Sequence, residues 1–409
     1  MAFLFDQFPR SLDAFGRYRM SSPETIFDSK MIADNLPLFW DDAATSGGGT
    51  SSTFNTNQAS VSLGVSNLTA GTRVRQTFRS FNYQPGKSQL FFLTFVLGAG
   101  AAGITKRVGS FDANNGLFLQ LAASTLSIVR RTKTSGAVVD NVTAQANWNL
   151  DKLDGSGPSG GNPSSLNLDV TKSQILAIDY EWLGVGSVRF GFVLNGTIVY
   201  CHQINNANSL SLVYMSSPNL PLRYEISNSG AGPAATLTQI CATAISEGGR
   251  QNSGIHLSIN RGDTGLTTIN NASLYPLVAI RLQSAYQFAT VIARSLSVLC
   301  ISTSSFQYQL LLNPTIVGTA LSFTALTNSA IEYDVSRTNA TTVTGGTLIE
   351  SGYGQQASTG ELNIGLESDL QIGASIAGVS DILVLAVARL TGTGTTETFY
   401  GALSWRESK

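Results

Sequence analysis

The sequence predicts an all-β chain made of two antiparallel, jelly-roll-like β-sandwich domains behind an extended N-terminal segment. Three observations lead there. Apolar and polar residues alternate with period two through most of the chain, whereas no helical periodicity is sustained. Turn-forming residues interrupt that alternation at short intervals, helped by 40 glycines in 409 residues. The length exceeds what one hydrophobic core usually serves, so the strands divide between two.

The elements follow in order. Residues 1–45 hold Phe3, Phe5, Phe8, Phe15, Tyr18, Phe27, Phe39 and Trp40 without clean alternation. They read as an arm that lies either across its own sandwich or on a neighbouring subunit, with a short helical piece around SLDAFGRYRM. The first sandwich is expected over 46–230. In NQASVSLGVS, Ala59, Val61, Leu63 and Val65 share one face and Ser60, Ser62 and Gly64 the other. RVRQTFRSF is a strand that ends at Gln84-Pro85-Gly86-Lys87, where Pro then Gly specify a type II turn. SQLFFLTFVLG is apolar on both faces, as an interior strand is. GLFLQLA, TLSIVRRT, SQILAIDYEWL, SVRFGFVL and TIVYCHQI are further strands, the last two joined by the hairpin signal Asn195-Gly196. DKLDGSGPSGGNPSS is a long loop. SNSGAGPAAT, residues 227–236, reads as a linker, with a second sandwich over 231–409.

Composition narrows the function. Charged residues are only 12% of the chain, about half the ~25% usual for soluble domains. A surface so poor in charge costs little to desolvate against another subunit, which points to assembly. A formal net charge of −1 gives no global attraction to nucleic acid or to an anionic membrane. Cys201, Cys241 and Cys300 are isolated, and only His202 and His256 are present. Neither a disulfide framework, nor a metal site, nor a cofactor motif is expected. The start of the chain does not read as a secretory signal, and no apolar run is long enough to span a membrane.

Two constellations carry chemistry. Asp179, Tyr180, Glu181 and Trp182 follow each other at the end of a strand, so Asp179 and Glu181 share a face. Sandwich glycosidases of the laminarinase type arrange acids as E-x-D-x-x-E; here the flanking acid positions are occupied by Ala177 and Trp182. The four residues therefore read as a ligand or interface face rather than a catalytic one. Ile331-Glu332-Tyr333-Asp334 repeats the same alternation in the second half, which suits a recurring strand solution. The second constellation is a basic stripe, Arg73, Arg75 and Arg79, suited to phosphate contacts or to pairing with acids across strands. PGKS lacks the upstream glycine of a phosphate loop, Arg261-Gly262-Asp263 is a chance-prone adhesion tripeptide, and Asp151 and Asp154 lack calcium-loop spacing.

The segments PETIFDSKMIADNLPLFWDD, FNYQPGKSQL, NWNLDKLDGSGPSG, IDYEWLGVGSVRFGF, NSAIEYDVSR and GALSWRES resemble parts of virion structural proteins of tailed bacteriophages and large DNA viruses. That resemblance implies a jelly-roll or concanavalin-like capsid-decoration, tail or spike component located in the virion. Its partners would be copies of itself and other virion proteins, and no enzymatic activity is implied. The alternative is a carbohydrate- or receptor-binding adhesin that meets a host glycan through Tyr180, Trp182 and the neighbouring acids.

Overall fold

A computed structural model describes residues 21–249, 254–268, 273–301, 305–355, 362–366, 370–390 and 396–409. It is all-β, with antiparallel sheets packed as jelly-roll-like sandwiches. The helical piece expected around SLDAFGRYRM and the aromatic residues before Ser21 lie outside the described residues.

The first sandwich is built from β1 (Glu24–Lys30), β2 (Trp40–Gly47), β3 (Thr50–Asn55), β4 (Ser60–Val65), β5 (Gly71–Thr77), β6 (Gln89–Val96), β7 (Ile104–Phe111) and β8 (Gly116–Ala122). It continues with β9 (Thr125–Thr132), β10 (Val139–Ala144), β11 (Gln174–Tyr180), β12 (Val188–Leu194), β13 (Thr197–Ile204), β14 (Leu222–Asn228) and β15 (Ala235–Ser246). One sheet of eight strands runs β13-β12-β11-β6-β15-β4-β3, with β1 also on β15. The facing sheet of seven runs β10-β9-β8-β7-β14-β5-β2.

Period-two patterning explains this arrangement directly. Phe91, Leu93 and Phe95 of β6, Ile178 and Tyr180 of β11, and Leu117 and Leu119 of β8 all enter one core between the sheets. The Gln84–Lys87 turn closes with Lys87 N–H on the carbonyl of Gln84 at 3.1 Å, and Gly86 takes φ +87° as a type II turn requires. Asn195 and Gly196 both have positive φ, the type I′ hairpin that joins β12 to β13.

Two boundaries differ from the sequence reading. Residues 1–45 are not all arm: β1 pairs with β15, β2 pairs with β5, and Phe27 and Trp40 are buried in the core. SNSGAGPAAT is not an inter-domain linker but the tight connection from β14 to β15. Asn228 explains why a Gly-rich stretch can be so compact. Its side-chain amide donates to the carbonyls of Ser66 and Gly232, and its side-chain oxygen accepts from the amides of Gly230 and Gly232. β15 then runs at the centre of the eight-stranded sheet, between β6 and β4, so the first sandwich extends to Ser246.

Beyond it, strands Ile255–Asn260, Glu397–Ser408, Thr290–Cys300 and Leu362–Gly365 form one sheet, with Leu266–Thr268 and Gln371–Ile372 alongside. Tyr275–Leu282, Ile382–Arg389, Ser305–Leu312 and Thr347–Gln355 form the other, with Ile331–Asp334 and Thr324–Ala325 on its edge. Tyr275, Leu310, Phe399 and Trp405 fill a separate core between them. The sandwiches meet where Gln371 Nε2 donates to the carbonyl of Ser80, Ala374 N–H to that of Phe78, and Ile376 N–H to Asp41.

Candidate functional site

The first constellation lies where β11 ends against β12. Ile178 and Tyr180 point into the core, so Asp179 faces outward, and antiparallel register sets it directly opposite Arg189. Arg189 pairs with the Asp179 carboxylate, and the Tyr200 hydroxyl donates to the same oxygen at 3.1 Å. The guanidinium also stacks on the Tyr200 ring at 4.5 Å. Burial, and then the Asp179 charge, push the Tyr200 hydroxyl up to about 12. Glu181 lies just past the strand on the same side, its carboxylate accepting the Ser187 amide at 3.2 Å. Ser88, Ser187 and Gln203 complete a shallow polar depression of about 290 Å³ around Asp179, Glu181 and Arg189.

The two aromatic members are elsewhere. Tyr180 is fully buried; its hydroxyl lies 2.6 Å from Gln89 Oε1 and 3.0 Å from the carbonyl of Pro218, and burial pushes it far above its ordinary value. Trp182 packs against the same core, edge-on to Tyr83, and its indole N–H donates to the carbonyl of Met215 at 3.1 Å. The expected face therefore splits. Asp179 and Glu181 share a depression as the spacing predicts, while Tyr180 and Trp182 join an interior aromatic cluster with Tyr83. The acids have fixed partners and could orient hydroxyls or amides, and the aromatic ring beside them, that of Tyr200, is the one on which Arg189 stacks.

The repeated tetrapeptide uses the same device. Glu332 pairs with Arg281 directly across the strands, and Arg281 stacks on Phe323 at 4.1 Å. Acid, cross-strand arginine and aromatic cap recur in both sandwiches.

The basic stripe faces inward. Arg73 and Arg75 lie on the face of β5 that looks between the sheets, because their register partner strand places Tyr224 and Ile226 in the core. Arg75 is fully buried: it donates to Gln239 on the opposite sheet at 2.6 Å, to the carbonyl of Asn35, and to Asp42 at 3.3 Å. Arg73 also pairs with Asp42, and Arg79 stacks on Phe27 at 4.8 Å while donating to the carbonyl of Ile26. Pairing with acids and carbonyls, not phosphate contact, accounts for these residues. Arg261 of the RGD tripeptide is likewise buried, its guanidinium on the carbonyls of Leu277, Arg337 and Thr264. Gly262 and Asp263 are exposed, so it is the arginine of the tripeptide that is withdrawn from solvent.

The sequence reading missed two features. Lys106 is buried inside the first sandwich, its ammonium on the carbonyls of Leu97 and Ala99, and burial lowers it to about 8. On the outer face of the seven-stranded sheet, Glu225 receives Arg107 at 2.7 Å and Arg223, Arg131 pairs with Asp140 at 2.8 Å, and these arginines lie over Phe111 and Phe118. Alternation in ITKRVGSF placed Lys106 and Arg107 on opposite faces; it did not say which face was inside. Cys201 and Cys300 are buried and Cys241 is partly buried, and none of the three is joined in a disulfide. Among the described residues no cluster of His, Cys, Asp or Glu is able to hold a metal, and no helix is long and apolar enough to cross a membrane.

No family model matches the sequence, and no curated protein does. Solved structures give shallow likenesses. The mixed linkage glucan PUL GH16 of Bacteroides ovatus, in complex with its G4G4G3G product, is 10% identical. It covers 54% of this chain and 99% of its own, with a TM-score of 0.36. The CBM2 module of the evolved Dit of Lactobacillus casei BL23 phage J-1 is 8% identical over 57% of this chain and all of its own, TM-score 0.36. A protein of unknown function from Shewanella oneidensis MR-1 is 10% identical over 61% and 97%, TM-score 0.35. At these scores none of them carries an argument about function.

Proposed function

We propose that this chain is a non-enzymatic structural component of a virus or phage particle, a capsid, decoration, tail or spike part that acts through contacts with its own copies and with other virion proteins. The observation that carries the reading is β10. It is the outer strand of the seven-stranded sheet, pairing with β9 on one side, and it exposes Val139 (44%) and Val142 (55%) beside Val138 (46%). Solitary proteins blunt such an edge with lysine, proline or a covering loop, because unpaired strand amides and apolar side chains recruit another chain. An edge that exposes these valines, with Asp140 between them already paired to Arg131, is suited to pairing with a partner. The 12% charge content and the resemblance of the quoted segments to virion proteins support the same reading.

The test is sedimentation velocity of the purified chain over a concentration series, together with antibody labelling of intact particles. Oligomers that dissociate on Val139→Lys plus Val142→Lys, and labelled particles, are expected. A chain that stays monomeric throughout and leaves every particle unlabelled counts against it.

A second reading, glycan or receptor binding, is favoured by the polar depression at Asp179, Glu181, Arg189 and Gln203. It predicts saccharide binding that Asp179→Asn with Glu181→Gln removes while the fold survives.

A further inference from the structure

The polar depression around Asp179 and Glu181 has a definite charge. Arg189 neutralises Asp179, but Glu181 pairs with no lysine or arginine among the described residues. Neither does Glu247, whose carboxylate holds the Ser88 hydroxyl at the rim. The Glu247 charge is felt at Tyr200, where it adds to burial and to Asp179 in raising the hydroxyl. Lys87, next to Ser88, is turned to Gln84 and to the carbonyl of Gly249.

Each of the two central acids has an oxygen to offer. Asp179 is only 5% exposed, yet Arg189 and the Tyr200 hydroxyl both take its Oδ2, and its Oδ1 borders the depression with no partner. Glu181 accepts the Ser187 amide on Oε1 and has nothing on Oε2. It lies over the turn that follows β11 because residue 186 is glycine: a Cβ there would stand 2.5 Å from both the Cγ and the carbonyl oxygen of Glu181. Ser187 Oγ and Gln203 Oε1 are likewise without partners among the described residues.

This set of groups discriminates between ligands. An anionic sugar meets repulsion from Glu181 and Glu247. A neutral sugar is not helped by ring stacking, since Arg189 already lies on Tyr200. An ammonium fits: two residues along a strand set the acids roughly 6.6 Å apart, and a cation placed roughly 2.8 Å from an oxygen of each bridges them. A lysine side chain brings that cation on an apolar stem and leaves Ser187 and Gln203 unpaired, whereas a sugar brings hydroxyls beside it.

Resting on the glycan reading of the same depression, we infer that its ligand is a saccharide bearing a free amine, with the ammonium between Asp179 Oδ1 and Glu181 Oε2 and the adjoining hydroxyls on Ser187 and Gln203.

The experiment is calorimetric titration of the full chain at about pH 6, where amines are protonated and carboxylates ionised. The probes are a short chitosan oligomer, the N-acetylated chitin oligomer of equal length, an oligogalacturonate and an oligolysine. Chitosan is expected to bind roughly ten-fold or more tightly than chitin, and oligogalacturonate not at all. Asp179→Asn with Glu181→Gln should remove the preference, and Glu181→Gln alone, at an exposed side chain, should weaken it if the double variant does not fold. Asp263→Asn with Glu332→Gln, an equal loss of charge on the second sandwich, should leave it unchanged. Chitin or galacturonate binding as tightly as chitosan, and lost in the Asp179 and Glu181 variant, overturns the inference while the glycan reading stands. Absence of binding by every sugar overturns both. Oligolysine binding as tightly as chitosan, or chitosan binding that the second-sandwich variant weakens equally, also overturns the inference.

Discussion

Lys106 gives a stability signature with a definite sign. Its ammonium is held at about 8, below the ordinary 10.5, because it is charged inside a sandwich with two carbonyls and no acid as partners. Between those values the unfolded chain binds more protons than the folded one, so folding stability rises with pH across the window and the penalty is complete below it. Integrated between about pH 7 and about pH 9.5, the gain is about 2 kcal/mol. Other groups oppose it: Cys201 and the buried Tyr180, Tyr214 and Tyr224 are all raised by burial, and the stability they contribute falls once their unfolded forms ionise. The comparison is therefore with Lys106→Met, which keeps those groups and lacks the ammonium. Urea unfolding at each pH, followed by fluorescence of Trp40, Trp148 and Trp182 in the first sandwich, gives the difference between the two proteins. That difference should move by about 2 kcal/mol in favour of the wild type as pH rises. A difference that stays flat would mean that Lys106 reaches water, and the burial argument fails.

Three further outcomes follow from the same geometry. Arg75→Met should lower stability by about 3 to 5 kcal/mol, because Gln239 and the carbonyl of Asn35 lose a buried charged donor and Asp42 is left with Arg73 and the Ser52 hydroxyl; the urea midpoint measures it. Arg189→Ala should cost no more than about 1 kcal/mol in the same assay, since its side chain is 44% exposed and water screens the pair with Asp179. Tyr180→Phe should cost about 1 to 2 kcal/mol, leaving Gln89 and the carbonyl of Pro218 without a buried hydroxyl, and should leave the oligomeric state seen by sedimentation unchanged.

Much of the fold was legible because alternation and turn chemistry are local. Val61, Leu63 and Val65 fall in the core where the pattern put them, and Asn195-Gly196 makes its hairpin. What was not legible depends on partners far away in sequence. ATLTQICATAIS looks like any strand, and only pairing with β6, β4 and β1 makes it the centre of the first sandwich. SNSGAGPAAT has the composition of a linker, and nothing local reveals that Asn228 will fold it tight. The site shows the same division. The spacing of Asp179 and Glu181 was sufficient to give them one side of a strand, but the burial of Tyr180 follows from Phe91 and Tyr83 on other elements. For Arg73 and Arg75, alternation gave a shared face and register alone decided that it was the inside.

The position of β15 has a bearing on how the molecule is made. As the chain leaves a ribosome, β6 and β4 must wait, each with a row of backbone amides open, until residues 235–246 have been synthesised to fill the space between them. Contacts of such long sequence separation are slow to form, and open edges invite pairing with other nascent chains. Co-translational folding of the first sandwich should accordingly begin on the β7-β8-β9-β10 meander, whose neighbours in sequence are neighbours in the sheet, and the eight-stranded sheet should be the last part of it to become protease-resistant.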